Sequence, residues 1–244
     1  MSEPRIYVDM DLAVGLVMSL PEEAYRHLVI VLRRIPEDAV ILFNGRGGEY
    51  AAKIESVAKR NLTVRIEEFR AVERESPLPV TLAQAVSKGE HMDYSIQKAV
   101  ELGVGMIQPL ITDHVVVRLD AERWARKQEH WQAVAISACE QSGRTRVPKI
   151  LPVADLRDWL NTCSPEALRL VLSPTAAPVT LTRTGNQPVV LLVGPEGGLS
   201  EVELKLADLT GFSALSLGAR VLRTETAGVV ALAILQSKFG DLSC

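Results

Sequence analysis

Cysteine is scarce in this chain, and the pattern of its few copies excludes a disulfide framework. Cys139, Cys163 and Cys244 are the 3 cysteines among 244 residues, and they are widely spaced. An odd number at such spacing is typical of free thiols in a reducing compartment. A chain of this length can bury a hydrophobic core without cross-links, and the length alone predicts one or two domains.

Long hydrophobic runs are also missing. The longest apolar stretches are residues 189–193 and 227–235, whereas a membrane span needs roughly 20 residues. The opening residues carry no apolar core of the signal-peptide type. The sequence therefore predicts a cytoplasmic protein with no membrane partner.

Neither sign of charge dominates. The net charge is −3, with 47% hydrophobic and 23% charged residues, which is ordinary for a globular protein and excludes disorder as the main state. The net charge also excludes a protein that binds nucleic acid through an overall positive surface charge. It does not exclude local basic patches. Most of the cationic side chains are arginine, which suits planar contacts to phosphates and bases.

Motifs for metal and nucleophilic catalysis are missing as well. The four histidines show no HExxH or Cys/His ligand spacing, so no metal site is expected. There is no GxSxG motif, no Cys–His pair and no close carboxylate pair. We therefore interpret the histidines as structural or surface residues; they are His27, His91, His114 and His130.

The hydrophobic pattern changes in residues 71–79, a charged segment with two prolines that reads as a linker. Before it, short strand-like segments with glycine turns predict a small β-barrel over residues 1–72. After it, strands alternate with helices, which is typical of an α/β domain with a mostly parallel sheet, here 73–244. The predicted strands are 5–8, 39–43, 49–57, 62–69, 80–85, 106–110, 167–172, 189–193 and 214–217, and the predicted helices are 22–32, 93–102, 121–141, 200–209 and 226–238.

The strongest local signal is a glycine-rich loop, GPEGG, at residues 194–198. It follows an apolar strand and precedes a helix, where Ser200 and Glu203 have the spacing of a capping box. Ligands of open α/β sheets bind at such strand ends. The loop is neither GxGxxG nor a P-loop, so a dinucleotide or nucleoside triphosphate is disfavoured. A site for another small molecule and a tight turn without a ligand both remain open.

A second strand end carries a cluster of charge within LGARVLRTETA, residues 217–227. Arg220, Arg223 and Glu225 lie within six residues, and Thr224 or Thr226 is placed to cap the following helix. The cluster indicates either a site or a solvated helix start with an Arg–Glu pair. A third segment, EQSGRTRVP at 140–148, is a basic turn that either contacts phosphates or complements a helix C-terminus.

Together, four segments resemble the RsmE family of RNA methyltransferases: 86–104, 140–148, 191–203 and 217–227, after the opening RIYV at 5–8. That family methylates N3 of one uridine, uracil-1498, in 16S rRNA of the small ribosomal subunit. The resemblance covers essentially the whole chain. It implies a PUA-like RNA-binding barrel, then a SPOUT domain with a deep C-terminal trefoil knot. It also implies S-adenosylmethionine as the methyl donor and a homodimer.

The resemblance further implies the site residues. The cofactor-binding residues are Leu172, Ser173, Pro174, Val193, Gly194, Pro195, Glu196, Gly197, Gly198, Leu217, Gly218, Leu222, Arg223 and Thr224. Among the catalytic residues, Arg223 is expected to stabilise negative charge on the uracil oxygens, and Glu225 to orient an arginine or help remove the N3 proton. Arg5 is the third predicted catalytic residue and is expected to contact the base or its phosphate. RNA binding is assigned to Arg5, Arg33, Arg34, Arg144 and Arg146.

Two other functions stay open at this stage. One is a nucleotide-dependent reductase that uses the glycine loop, although its dinucleotide motif is missing. The other is a non-catalytic ribosome-binding or assembly protein, which would have no use for the glycine loop or for the charge cluster of residues 220–225.

Overall fold

The computed structural model describes residues 3–117, 119–177 and 180–242, which form two compact units. The first unit runs to Glu75 and also contains Cys139–Val147, while the second begins at Ser76 and resumes at Pro148. The division falls a few residues beyond the expected boundary at 72/73. The inclusion of 139–147 in the first unit was not expected, since those residues end a long helix of the α/β region.

The first unit is built on a five-stranded sheet. Its strands are β1 (Arg5–Tyr7), β2 (Val17–Ser19), β3 (Ala39–Phe43), β4 (Glu49–Ala58) and β5 (Asn61–Arg70), in the order β1-β3-β4-β5-β2. The β1–β3 pair is parallel and the others are antiparallel. Between β2 and β3 lies a short helix, α1 (Glu22–Tyr25), which continues as a π-helical turn over Arg26–Val31.

The core of this unit comes from alternation along the strands. Apolar residues of β4 and β5 such as Ile54, Leu62 and Val64 are completely buried, together with Leu28 of the helical turn. The four predicted strands and the helical segment are confirmed. Strand β2 was missed because three residues are too few to show a period.

The second unit contains a parallel sheet in the order β12-β10-β11-β6-β7-β8, with β9 also paired to β7. All five residues of β11 are buried, as expected for an inner strand of a parallel sheet. The strands are β6 (Val80–Ala85), β7 (Met106–Ile111), β8 (Lys149–Ile150), β9 (Ala154–Asp155), β10 (Leu168–Leu172), β11 (Val189–Val193) and β12 (Ser213–Leu215), and the helices are α2 (His91–Glu101), α3 (Ala121–Ser142), α4 (Leu156–Leu160), α5 (Glu201–Leu209) and α6 (Thr224–Phe239).

The predicted α/β pattern is confirmed, and β8, β9 and α4 are the elements it lacked. Because β10, β11 and β12 are parallel neighbours, their carboxyl ends lie at the same edge of the sheet. The loops that follow these strands therefore come together. The strand order does not test the trefoil knot, which stays a prediction.

Two further sequence expectations concern thiols and membrane spans. Cys139 and Cys163 are free thiols, and burial raises the pKa of Cys139 to about 12 and that of Cys163 to about 11. Cys244 lies outside the described residues. Among the helices of the described ranges, none is long and apolar enough to cross a bilayer.

Candidate active site

A cavity of about 700 Å³ opens where β10, β11 and β12 end. Its size falls within the usual range for a small-molecule site, and much of its floor is aliphatic. Every residue that the resemblance assigns to the cofactor lines this one cavity. It is also lined by His91, Thr175, Leu199, Leu204, Leu215, Arg220, Val221, Glu225 and Ala227.

The glycine loop after β11 forms one wall of the cavity, and its glycines are required by close packing. A Cβ atom on Gly194 would lie 3.1 Å from the backbone nitrogen of Leu199, so a side chain there would push the loop open. Gly198 adopts a φ of +70°, which favours glycine. A backbone that approaches this closely can offer its own N–H and C=O groups to a ligand.

Hydrogen bonds from outside the loop hold it in place. The backbone N–H of Lys88 donates to the Glu196 carboxylate over 3.0 Å. On the other side, Nδ1 of His114 lies 2.9 Å from the carbonyl oxygen of Gly198. The loop is therefore tied to the segments that follow β6 and β7.

The start of α5 is fixed by the predicted capping box, which is confirmed. The buried Glu203 carboxylate accepts the backbone N–H groups of Ser200 and Asp113, each over 2.8 Å. Asp113 in turn accepts a hydrogen bond from the Ser200 hydroxyl, and this bond, with the nearby Arg157, holds the pKa of Asp113 below its usual value. The helix N-terminus behind the glycine loop is thus pre-organised.

A threonine cap on α6 was predicted, and that prediction is wrong. The N-cap residue is Arg223, without a side-chain cap, and Thr224 is the first helical residue. The Thr224 hydroxyl instead donates to the carbonyl oxygen of Gly194 and accepts from Gln84 over 3.0 Å. The hydroxyl therefore joins two walls of the cavity, a role that depends on a contact 30 residues away in the chain.

Arg223 and Glu225 both line the cavity, but they are not partners. Arg223 is exposed and forms no ion pair within the described residues, so its charge is available to a ligand. The Glu225 carboxylate lies 3.1 Å from Nδ1 of His91. The sequence alone predicts a structural or surface role for His91, because a histidine with no partner nearby in the chain gives no catalytic signal.

Arg5 and Arg144 lie within a buried ionic network of the first unit. Arg5 pairs with Glu49 and donates to the carbonyl oxygen of Arg144 over 3.0 Å. The Arg144 guanidinium is 7% exposed and pairs with Glu75. Both charges are therefore already neutralised by carboxylates that sequence reasoning did not single out.

The remaining arginines assigned to RNA lie on the surface of the same unit. Arg33 is exposed and follows the π-helical turn with a φ of +55°. Arg34 is partly exposed, with Nη1 4.0 Å from Asp38. Arg146 is about half exposed and lies 3.6 Å from Glu73. The pairs of Arg34 and Arg146 are weak, and Arg33 forms no ion pair within the described residues. Phosphate oxygens can therefore reach Arg33 and Arg146 most easily, and the partly exposed Arg34 less so.

The cavity fits S-adenosylmethionine in its chemistry. Aliphatic side chains such as Leu172, Leu215 and Leu217 can cover the two faces of an adenine ring. The loop backbone supplies hydrogen-bond donors and acceptors for its polar edge and for a ribose. Gly218, with a φ of +103° and open space on its Cβ side, leaves room beside these groups.

Comparison with known proteins agrees with the fold and the cavity. The chain matches the family model of an RNA methyltransferase domain over residues 74–236 and that of an RNA methyltransferase PUA domain over residues 20–67. These two matches and the cavity define the class: an RNA methyltransferase that carries a PUA domain.

Individual relatives indicate which family of RNA methyltransferases the chain is similar to. A ribosomal RNA small subunit methyltransferase E from Buchnera aphidicola subsp. Schizaphis graminum is 35% identical over 242 residues, 98% of each protein. The crystal structure of a Neisseria gonorrhoeae ribosomal RNA small subunit methyltransferase E bound to S-adenosyl methionine has a TM-score of 0.94 and 41% identity, covering 99% of this chain and 100% of that one. A putative methyltransferase of Legionella pneumophila, in complex with the bound cofactor SAM, has a TM-score of 0.92 and 42% identity, with the same coverage.

The chain therefore belongs to the ribosomal RNA small subunit methyltransferase E family. This confirms the resemblance drawn from the four motif segments. It also confirms that the protein is an enzyme and leaves the reductase and the non-catalytic alternatives without support.

Proposed function

We propose that this protein transfers the methyl group of S-adenosylmethionine to N3 of a single uridine, uracil-1498, in 16S rRNA of the small ribosomal subunit. One observation carries the proposal: a single cavity is lined by every residue that the family resemblance assigns to the cofactor. Two solved relatives of 41% and 42% identity hold S-adenosylmethionine. Because its substrate would be rRNA of the small ribosomal subunit, the protein would act in the cytoplasm.

The residues of the cavity would perform distinct tasks. The glycine loop and the segment 217–224 would hold the cofactor, which supplies an electrophilic methyl group when bound. Arg223 would stabilise the negative charge that develops on the uracil oxygens as N3 loses its proton. An arginine is always charged and cannot accept that proton. The site would also hold N3 in line with the methyl carbon, and this alignment would account for much of the rate enhancement.

RNA recognition would involve the first unit. Arg33, Arg34 and Arg146 are the arginines of that unit with the most open guanidinium groups among those assigned to RNA. They would contact phosphates of a structured substrate that is recognised largely by its shape. A net charge of −3 is compatible with this, because the contacts are local.

The active form would be a homodimer formed through α6. This helix is apolar on nearly all sides, as a fully enclosed helix would be. One face is buried in the second unit, whereas Ile234 on another face is 42% exposed and Val221, just before the helix, is 82% exposed. A second copy of the chain would cover these side chains.

The test uses small subunits purified from cells that lack this protein. The protein and S-adenosylmethionine are added, and the rRNA is copied by reverse transcriptase. Because an N3-methyl group blocks the Watson–Crick edge, we expect one new strong stop at uracil-1498. Cofactor binding without any stop would refute this substrate, and a stop at another uridine would refute the assigned position.

A further inference from the structure

His91 and Glu225 form a pair at the rim of the cofactor cavity. His91 is the first residue of α2, Glu225 is the second residue of α6, and the two helices pack against each other. Nδ1 of His91 lies 3.1 Å from Oε1 of Glu225. The geometry of this pair is set by two helix starts, so it does not depend on a flexible loop.

The carboxylate determines which imidazole nitrogen carries the proton. Ionised Glu225 can only accept hydrogen bonds, so a neutral His91 must present Nδ1–H to it and keep its lone pair on Nε2. Nε2 has no hydrogen-bond partner within the described ranges, and the side chain of His91 is 46% exposed, against 11% for Glu225. A carboxylate that fixes a histidine in this tautomer is the arrangement that makes histidine an effective base in hydrolases.

A second, shallow depression adjoins the cofactor cavity, and His91 and Glu225 are the two residues that line both. The depression is further lined by Lys88, Gly89, Glu90 and Tyr94. The Tyr94 ring is about half exposed and offers a face on which a nucleobase can stack. Gly89 has open space on its Cβ side, so the backbone does not obstruct a planar ring there.

We propose that Nε2 of His91 accepts the N3 proton of the target uracil, that Glu225 is the positioning residue behind it, and that the uracil ring occupies this depression. The inference rests on the proposed function. The N3–H bond breaks, its proton moves to Nε2, and its electron pair stays on N3. That pair forms the new N–C bond as the C–S bond breaks and its electrons return to sulfur, leaving S-adenosylhomocysteine. The imidazolium is stabilised by Glu225 and returns its proton to water.

The first test replaces the base. In His91→Gln we expect kcat for methylation of the small subunit to fall about 100-fold or more, the usual contribution of a general base. We expect KM for the subunit to change little, and calorimetry should show nearly unchanged binding of S-adenosylmethionine. Retained cofactor binding also shows that the variant is folded.

The second test examines the tautomer without relying on activity. We expect the imidazole ¹⁵N resonances of wild-type His91 to report Nδ1–H and an unprotonated Nε2. The amide in Glu225→Gln can donate to Nδ1, so the Nε2–H tautomer should become populated and kcat should fall about 10-fold or more. A wild-type spectrum with the proton on Nε2 would overturn the inference even if His91→Gln did not fold.

The matched control is a second histidine–carboxylate pair that involves α2, formed by Asp93 of α2 and His130 of α3. Nε2 of His130 lies 2.7 Å from Asp93, and neither residue lines the cavity or the depression. His130→Gln should leave kcat unchanged. If wild-type protein methylates the subunit and His91→Gln does so equally well, only the inference fails; if wild-type protein produces no N3-methyl mark, the proposed function fails.

Discussion

At the scale of single residues, Arg5 and Arg144, two of the five arginines predicted to bind RNA, belong to an internal ionic network. Arg5 and Arg74 both bond to Glu49, which is almost completely buried. Burial alone would raise the pKa of Glu49, but the hydrogen bonds from Arg74 and Arg5 outweigh it and hold that pKa below its usual value. The carboxylate is therefore ionised and essential to its neighbours.

Removal of Glu49 should destabilise the protein in a pH-dependent way. Glu49→Ala leaves two guanidinium groups without their carboxylate, which costs about 3 kcal/mol for a buried pair. Because the folded pKa is lowered, this contribution is complete above the unfolded pKa and is lost as the pH falls through the folded pKa. Urea unfolding at neutral and at strongly acidic pH should therefore show a difference from wild type that shrinks in acid.

The control for that experiment is Glu55→Ala, which removes the partly exposed partner of the exposed Arg65. Exposed pairs contribute little, so its stability should remain close to that of wild type. Equal losses in the two variants would contradict the importance of the buried network.

Arg223 is the residue whose loss should affect chemistry most directly, since it faces the cavity without an ion-pair partner in the described part of the chain. In Arg223→Ala we expect kcat to fall about 100- to 1,000-fold, as on loss of one transition-state donor. Calorimetry should show that most of the cofactor affinity is retained. The control is Arg123→Ala, which removes an exposed arginine of α3 and should leave kcat unchanged. An unchanged kcat in Arg223→Ala would exclude Arg223 from the mechanism.

At the scale of elements, the loop between β11 and α5 combines a local and a distant requirement. Its helix start is encoded locally by Ser200 and Glu203, which form the capping box. Its position depends on Lys88, His114 and Thr224, which come from other parts of the chain. The loop is therefore rigid only in the folded domain.

Gly198→Ala tests how much the cofactor depends on this loop. The left-handed backbone at a φ of +70° should cost roughly 1 kcal/mol of stability with alanine, and S-adenosylmethionine should bind about 10-fold more weakly in calorimetry. Gly15→Ala is a matched control, because Gly15 has a φ of +86° with open space on its Cβ side and does not line the cavity. Equal cofactor affinity in both variants would mean that the loop does not shape the site.

The C-terminal end of α3 and the basic turn after it form contacts in the first unit that the sequence does not reveal. The carboxylate of Glu75 pairs with Arg144 and accepts the backbone N–H groups of Thr145 and Arg146. Glu140 accepts the backbone N–H of Tyr7, and burial raises the pKa of that carboxyl. The basic turn is thereby incorporated into the first unit, and Arg146 is left as its open cation.

At the scale of the whole molecule, the homodimer proposed above would cover the exposed side chain of Ile234 on α6. Ile234→Glu places a charge on the face that a second copy would cover, so we expect a change from dimer to monomer in analytical ultracentrifugation at micromolar concentration. Leu209→Glu, at an exposed position at the end of α5, should leave the oligomeric state unchanged. A wild-type protein that is monomeric in the same experiment would refute the homodimer.

The α/β pattern, the capping box and the motif order could be predicted because each is a local property. Periodic apolar residues define strands such as 189–193 over a few positions, and Ser200 and Glu203 lie three residues apart. The same reasoning failed for the threonine cap, because the Thr224 hydroxyl prefers a carbonyl 30 residues away. It also did not find the carboxylate partners of Arg5 and Arg144, which are 44 and 69 residues distant in the chain.

By itself, then, the sequence determined the order and type of the main elements, the family and the segments that line the cavity. Only the tertiary structure decided that Glu225 faces His91 and that residues 139–147 belong to the first unit. It also decided which arginines have guanidinium groups that are not paired with a buried carboxylate. The physical reason is that periodicity and capping depend on near neighbours in the chain. The partner of a charged group, in contrast, depends on which distant segment the fold brings within hydrogen-bond distance.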